Sequence, residues 1–108
     1  MYLDLPKPID MYLGSENTDD TDVIPKCFSP DATVQDEGRT HTGLAAIKAW
    51  KTAAKAKTGY TIEPLSAIER DGRTVVSVKV AGKFPNSPIT LEYTFAVKHD
   101  RIVALDIH

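Results

Sequence analysis

The sequence predicts an α+β fold in which three N-terminal helices pack on a strongly curved, mainly antiparallel sheet, forming a cone with an apolar pocket. Three observations predict it. Apolar residues recur at helical spacing up to Gly59 and then alternate with a period of two. A short extended stretch, Ala32 to Asp36, interrupts the helical part between a stop at Pro30 and a turn around Gly38. Asp71-Gly72 and His99-Asp100 supply tight turns between the later strands. Helices followed by a meander of strands put the helices on one sheet face, where their apolar stripes pack together.

The elements follow in order. Pro6 and Pro8 open a first helix, because proline's preset φ and missing N–H cost nothing in a first turn. Ile9, Tyr12 and Leu13 fall on one face of it, and the weak helix formers Gly14, Ser15 and Asn17 keep it short. Asp19, Asp20 or Thr21 caps a second helix with Val23, Ile24, Cys27 and Phe28 as its stripe, Pro25 requiring a late start near Thr21. A third helix opens near Gly43, with Thr42 as cap and Gly59 as stop. Its stripe is Ala46, Ile47, Trp50, Ala53 and Ala54, with Lys48, Lys51 and Lys55 forming a solvated basic face.

Beyond Gly59 a strand runs from about Tyr60 to Glu69 and turns at Asp71-Gly72. In the next, Val76, Val78, Val80 and Phe84 share one face, and Ser77, Lys79 and Lys83 the other. A turn at Pro85-Asn86-Ser87-Pro88 leads to Ile89, Leu91, Tyr93, Phe95 and Val97 on the inner face, with Thr90, Glu92, Thr94 and Lys98 opposite. Val103, Leu105 and Ile107 complete the inner face after His99-Asp100.

With 108 residues, a single domain spanning residues 1–108 is expected, a size that buries roughly two-thirds of the unfolded surface. The 13 basic and 15 acidic residues nearly cancel, which argues against a phosphate-backbone partner, so no nucleic acid is expected. Cys27 stands alone, so neither an internal disulfide nor a thiolate-rich metal site can form. No His and carboxylate cluster suggests a metal, and no cofactor is expected. The start, Met1 to Pro6, lacks the pattern of a secretion signal, and no stretch approaches the ~20 apolar residues of a membrane span. No membrane partner and a cytoplasmic location are the resulting expectations.

Asp36 carries the chemistry. It shares its strand face with Ala32 and Val34, which directs a carboxylate toward the pocket, where apolar walls raise its pKa and make it a stronger base. The alternative is a turn residue whose charge stays in water as it opens Asp36-Glu37-Gly38. Trp50, Phe84, Phe95, Val78, Leu91 and Leu105 are the expected apolar walls of the ligand site, and His41, in the turn before the third helix, its rim. Tyr12 and Tyr93 can donate to an oxygen gaining negative charge, or serve as core residues with satisfied hydroxyls.

At this point the chain resembles the nuclear transport factor two-like superfamily, and within it the SnoaL-like polyketide cyclases and ketosteroid isomerases. The resemblance rests on Asp20, Phe28, Pro30-Asp31-Ala32-Thr33-Val34, Asp36, Gly43, Ala46-Ile47, Trp50 and Arg101-Ile102, and covers nearly the whole chain. It implies Asp36 as general base and Tyr12 as proton-donating tyrosine. The third position, an aspartic acid in the isomerases, here holds Tyr93.

Three functions compete. One is an isomerase or cyclase that moves a proton in an apolar carbonyl compound, with Asp36, Tyr12 and Tyr93 as its catalytic residues. Another is a non-catalytic binder of an apolar metabolite. The last is a structural module that forms a homodimer through the outer sheet face of Ser77, Lys79, Thr90, Glu92, Thr94 and Lys98.

Overall fold

The computed structural model describes residues 5–18 and 20–108. Asp19, one of the three expected caps, and residues 1–4 lie outside the described residues. Helix α1 spans Lys7–Ser15 with Pro6 as its N-cap, and ends where Gly14 and Ser15 weaken it. Ile9, Tyr12 and Leu13 are buried, as their spacing demands.

Helix α2, Ile24–Cys27, is a single turn, shorter than the expected helix from Thr21. The chain before it is held instead by local bonds: the Asp20 N–H donates to Thr18 Oγ1, and the Asp22 N–H to Asp20 Oδ1 at 2.9 Å. Such side chains offer the backbone an alternative to helix. Val23, Ile24, Cys27 and Phe28 are nevertheless all buried.

Strand β1 covers Phe28–Asp36 and so runs through Pro30, where a stop was expected. Proline has no N–H to give a ladder, and the pairing with the last strand shifts register between Phe28 and Thr33, which accommodates it. A further strand, β2 at Arg39–Thr42, pairs antiparallel with β1 and was not expected. Arg-Thr-His-Thr carries no apolar alternation because β2 is a mostly exposed edge. Positive φ at both Glu37 (54°) and Gly38 (75°) closes this hairpin.

Helix α3, Leu44–Thr58, starts from Gly43 without a side-chain cap, so Thr42 does not cap it, and stops at left-handed Gly59. Its inward face differs from the expected stripe. Lys51 is buried beside Ile47, whereas Ala53 is exposed.

Four antiparallel strands follow: β3 Thr61–Arg70, β4 Arg73–Ala81, β5 Ile89–Lys98 and β6 Arg101–Ile107. One six-stranded sheet results, in the order β2-β1-β6-β5-β4-β3, with β1 parallel to β6 and the other ladders antiparallel. The sheet is open, with β2 and β3 as its edges. Register shifts at Phe28/Thr33, Pro64/Ser66 and Ala96/Val97 bend it, since a bulge increases local twist. The shift in β6's ladder also lets Ile102 join Leu105 and Ile107 in the core, while Val103 is only half-buried.

Phe84 lies in the bend after β4 and is half-buried against the core. That bend is anchored by Gly82, where a Cβ would meet Thr58 O and Tyr60 Cα at 3.0 Å. Because both are backbone atoms, Gly82→Ala is expected to destabilise the protein by about 1–3 kcal/mol, read as a lower midpoint with unchanged slope in urea unfolding.

Candidate functional site

Asp36 ends β1 with its carboxyl half-buried, and the Trp50 indole Nε1–H donates to its Oδ2 at 3.1 Å. Burial raises its pKa above the ordinary carboxylate value, the Trp50 bond opposes the rise, and the neighbouring Glu37 charge adds to it. A turn residue in open water would show no such burial. His41 lies on β2, not in a turn, opposite Val34, with its ring 6.1 Å from the Trp50 ring. An open depression of about 400 Å³ touches Asp36 and is otherwise lined by Gln35, Gly38, Thr40, Asp106, Ile107 and His108. Gln35 pairs with Thr40 and Asp106, and Asp106 with Thr94, so this depression lies mainly on the outer face of the sheet.

Tyr12 sits deeper and is fully buried. Phe28 meets its ring edge-on at 5.3 Å and Phe95 at 6.1 Å. Phe95, Val78 and Leu105 are likewise enclosed, so the expected walls form a closely packed core around it. Leu91, Phe84 and Trp50 remain half-buried at its margin. The 400 Å³ depression therefore does not extend to Tyr12.

Between the rim and the deep end stands Tyr93, buried and 6.3 Å from the Phe95 ring. Its hydroxyl pKa is raised by burial first, and then by the charges of both Glu16 and Asp36. Two carboxyls thus act on one interior hydroxyl.

Glu16 was not singled out in the sequence, yet it is 1% exposed. Its position is Tyr12 plus four and Ile9 plus seven, so it continues the buried stripe of α1, and that spacing was the signal. The Tyr60 hydroxyl donates to its Oε2 at 2.9 Å, and Lys51 Nζ lies 3.8 Å from Oε1. Lys51 is also 1% exposed, and corrects the reading of that residue as part of a solvated face. Its ammonium donates to Ser15 O at 3.3 Å, Ser15 Oγ at 3.1 Å and Asp20 O at 3.0 Å, which occupies all three protons. Lys55 donates to Tyr60 O and lies over the Tyr60 ring at 4.3 Å.

Burial shifts these groups against their charged forms. It raises Glu16, offset by Tyr60 and Lys51, and lowers Lys51, offset by Glu16. Tyr12 and Tyr60 are raised by burial and then by the Glu16 charge. Cys27 is pushed up to about 11 by burial, which makes it a poor nucleophile. No metal-ligating cluster occurs among the described residues, and no described helix is long and apolar enough to cross a membrane.

An open α+β cone with a half-buried aspartate at the end of its first strand and an inward tyrosine on its first helix defines a class of fold: a bent sheet wrapped around a packed interior. The chain belongs to the SnoaL-like domain family, whose model matches residues 9–105. Among solved structures it is similar to a protein of Sinorhizobium meliloti provisionally called a polyketide cyclase, with 42% identity over 96% of this chain and 95% of that one, and a TM-score of 0.92. A Catenulispora acidiphila protein with a ketosteroid isomerase-like fold, solved with trimethylamine, shares 16% identity over 97% and 86% of the two chains at a TM-score of 0.82. SalBIII, an epoxide hydrolase/cyclase-like enzyme with a role in pyran ring formation in salinomycin, shares 20% identity over 94% and 86% at 0.78. The latter two likenesses show the fold alone. No curated protein matches the chain.

The interior ion pair yields a stability prediction. Lys51→Met leaves Glu16 buried without its counter-charge and frees three acceptors, and is expected to cost about 3–5 kcal/mol in chemical denaturation. Adding Glu16→Gln to it should recover at least about 1 kcal/mol, because the orphaned charge is then gone.

Proposed function

We propose that the cone holds an apolar small molecule and that Asp36 is the general base of an isomerase or cyclase, moving a proton in an apolar carbonyl compound. The observation that carries this is the state of the Asp36 carboxyl: half-buried, oriented by Trp50 Nε1–H, and raised in pKa by burial. A base of raised pKa takes a proton more readily, and a positioned base contributes about 10²–10⁴-fold in rate. In this reading Tyr12 and Tyr93 polarise the carbonyl oxygen, and Trp50, Phe84, Phe95, Val78, Leu91, Leu105 and His41 surround the ligand. The similarity to a protein provisionally called a polyketide cyclase supports it. The proposal sets the protein in the cytoplasm, in keeping with its lone cysteine.

Exchange of α-protons for deuterium in 2-tetralone, followed by NMR, tests the chemistry without knowledge of the natural substrate. The expected result is exchange above the buffer blank, lowered about 10²–10⁴-fold by Asp36→Asn. Because only the carboxylate accepts a proton, the rate is expected to fall as pH drops through a pKa above the usual carboxylate range. Exchange equal to the blank in folded protein overturns the base assignment.

A second reading, a non-catalytic binder of an apolar metabolite, is favoured by one observation: the enclosure of Tyr12 in packed core. In either case the polar, threonine-rich outer sheet face is proposed to pair two copies. Thr94 and Thr90 project there with Lys79 and Glu92. Sedimentation equilibrium is expected to show a concentration-dependent dimer, weakened about tenfold or more by Thr94→Asp, and a monomer at all concentrations would remove the dimer.

A further inference from the structure

Strand β3 is ten residues long and forms one edge of the sheet, with β4 as its only ladder partner among the described residues. Which of its backbone groups face outward follows from its turn. Asp71 and Gly72, both at positive φ, close a two-residue hairpin, which makes Arg70 and Arg73 a hydrogen-bonded pair. Alternate residues then turn their N–H and C=O groups toward β4, so Ile68 and Ser66 bond to it while Glu69 and Ala67 face out from the sheet edge. The bulge between Pro64 and Ser66 moves the outward set on to Pro64 and Ile62. Ile62 bears this out, since its N–H donates to Asn17 Oδ1 at 2.7 Å and its carbonyl accepts from Asn17 Nδ2 at 3.0 Å. Asn17 thus covers the edge at Ile62 and leaves Pro64, Ala67 and Glu69 open.

The side chains along this edge are of matching kinds. Leu65 and Ile68, 37% and 51% exposed, are two of the three exposed large apolar residues among the described ones. Glu63 and Arg70 flank them, both exposed and both on the outer sheet face, opposite Lys79 and Arg73 of β4. Arg70 therefore stands against a like charge, an arrangement that weakens a ladder.

We propose that β3 pairs antiparallel with β3 of a second copy of this chain, about a two-fold axis at Ala67. A two-fold contact is self-complementary, so each match occurs twice. With Ala67 opposite Ala67, the bulge sets Glu69 opposite Pro64 and Arg70 opposite Glu63. The Glu69 N–H meets the Pro64 carbonyl, the one backbone group a proline can offer. The two Ile68 side chains meet on the diagonal across the axis, and Arg70 gains a carboxylate beside its like charge. Moving the register by two residues sets Arg70 opposite Ser66, or Glu63 opposite Ile68, and loses the charge match. This contact joins backbones at an edge and is separate from the pairing of outer sheet faces proposed above.

The test is amide hydrogen exchange of the full chain, read by NMR at tens of micromolar and at millimolar concentration. Ala67 and Glu69 are expected to exchange as open amides when dilute and at least about tenfold slower when concentrated, while Ser66 and Ile68 are slow at both. Arg70→Glu relieves the like-charge opposition within the hairpin but sets two carboxylates against each other between copies, and is expected to remove the slowing. Adding Glu63→Arg to it should bring the slowing back. Open exchange of Ala67 and Glu69 at both concentrations in folded protein overturns the proposal. Equal slowing at both overturns it too, since the chain would then be covering its own edge. Slowing that survives Arg70→Glu overturns the register centred on Ala67.

Discussion

The Lys51–Glu16 pair is the constraint around which the helical layer is arranged. Taking two charges from water costs several kcal/mol each, and their mutual attraction at 3.8 Å does not by itself repay it. The remainder comes from hydrogen bonds that tie distant parts of the chain together. Lys51, on α3, holds Ser15 at the end of α1 and Asp20 in the next turn, while Glu16 receives Tyr60 from just before β3. Asn17 extends the same seam, exchanging two bonds with the backbone of Ile62. A helix of nine residues is marginal alone. Here its C-terminal end is fixed by a cation that meets its last carbonyl.

That seam gives the interior two carboxyls in different environments. Asp36 stands half-buried at the end of β1, braced by an indole N–H. Glu16 stands at the deep end, braced by a phenol and an ammonium. Tyr93, buried between them, feels both. The proposed base, Asp36, stands where its carboxyl can exchange protons with water, whereas Glu16 stands where water cannot compete for its hydrogen bonds.

Much of the fold was legible because it rests on period. Ile9, Tyr12 and Leu13, the alternation of β4 and β5, and the glycine at position 59 each report a local preference that packing then reinforced. β2 was not legible: an exposed four-residue edge strand has no apolar pattern to show. The extent of β1 was misjudged because proline breaks regular ladders, and a bulge that admits it leaves no mark in sequence. The placement of Asp36 at the end of a strand, on the Val34 face, was legible from alternation alone. Glu16 and Lys51 were hidden for a different reason. Charged residues are almost never fully buried unless paired, so each looks like surface until its partner is known. Their partners are 35 positions apart in the chain, and only the fold brings them together.

The enclosure of Tyr12 and the function of the cone bear on each other through the same physics. The interior is complete as packed, and the two polar groups one turn apart at its deep end, Tyr12 and Glu16, bear on each other. Opening it would cost the contacts of the half-buried margin, Phe84, Leu91 and Trp50. It would return an apolar ligand's burial, at roughly 25 cal/mol per Å² of surface removed from water. A ligand supplying only that term would exchange one filling for another at little gain, so a group that also met the half-buried Asp36 carboxyl would decide which molecules enter.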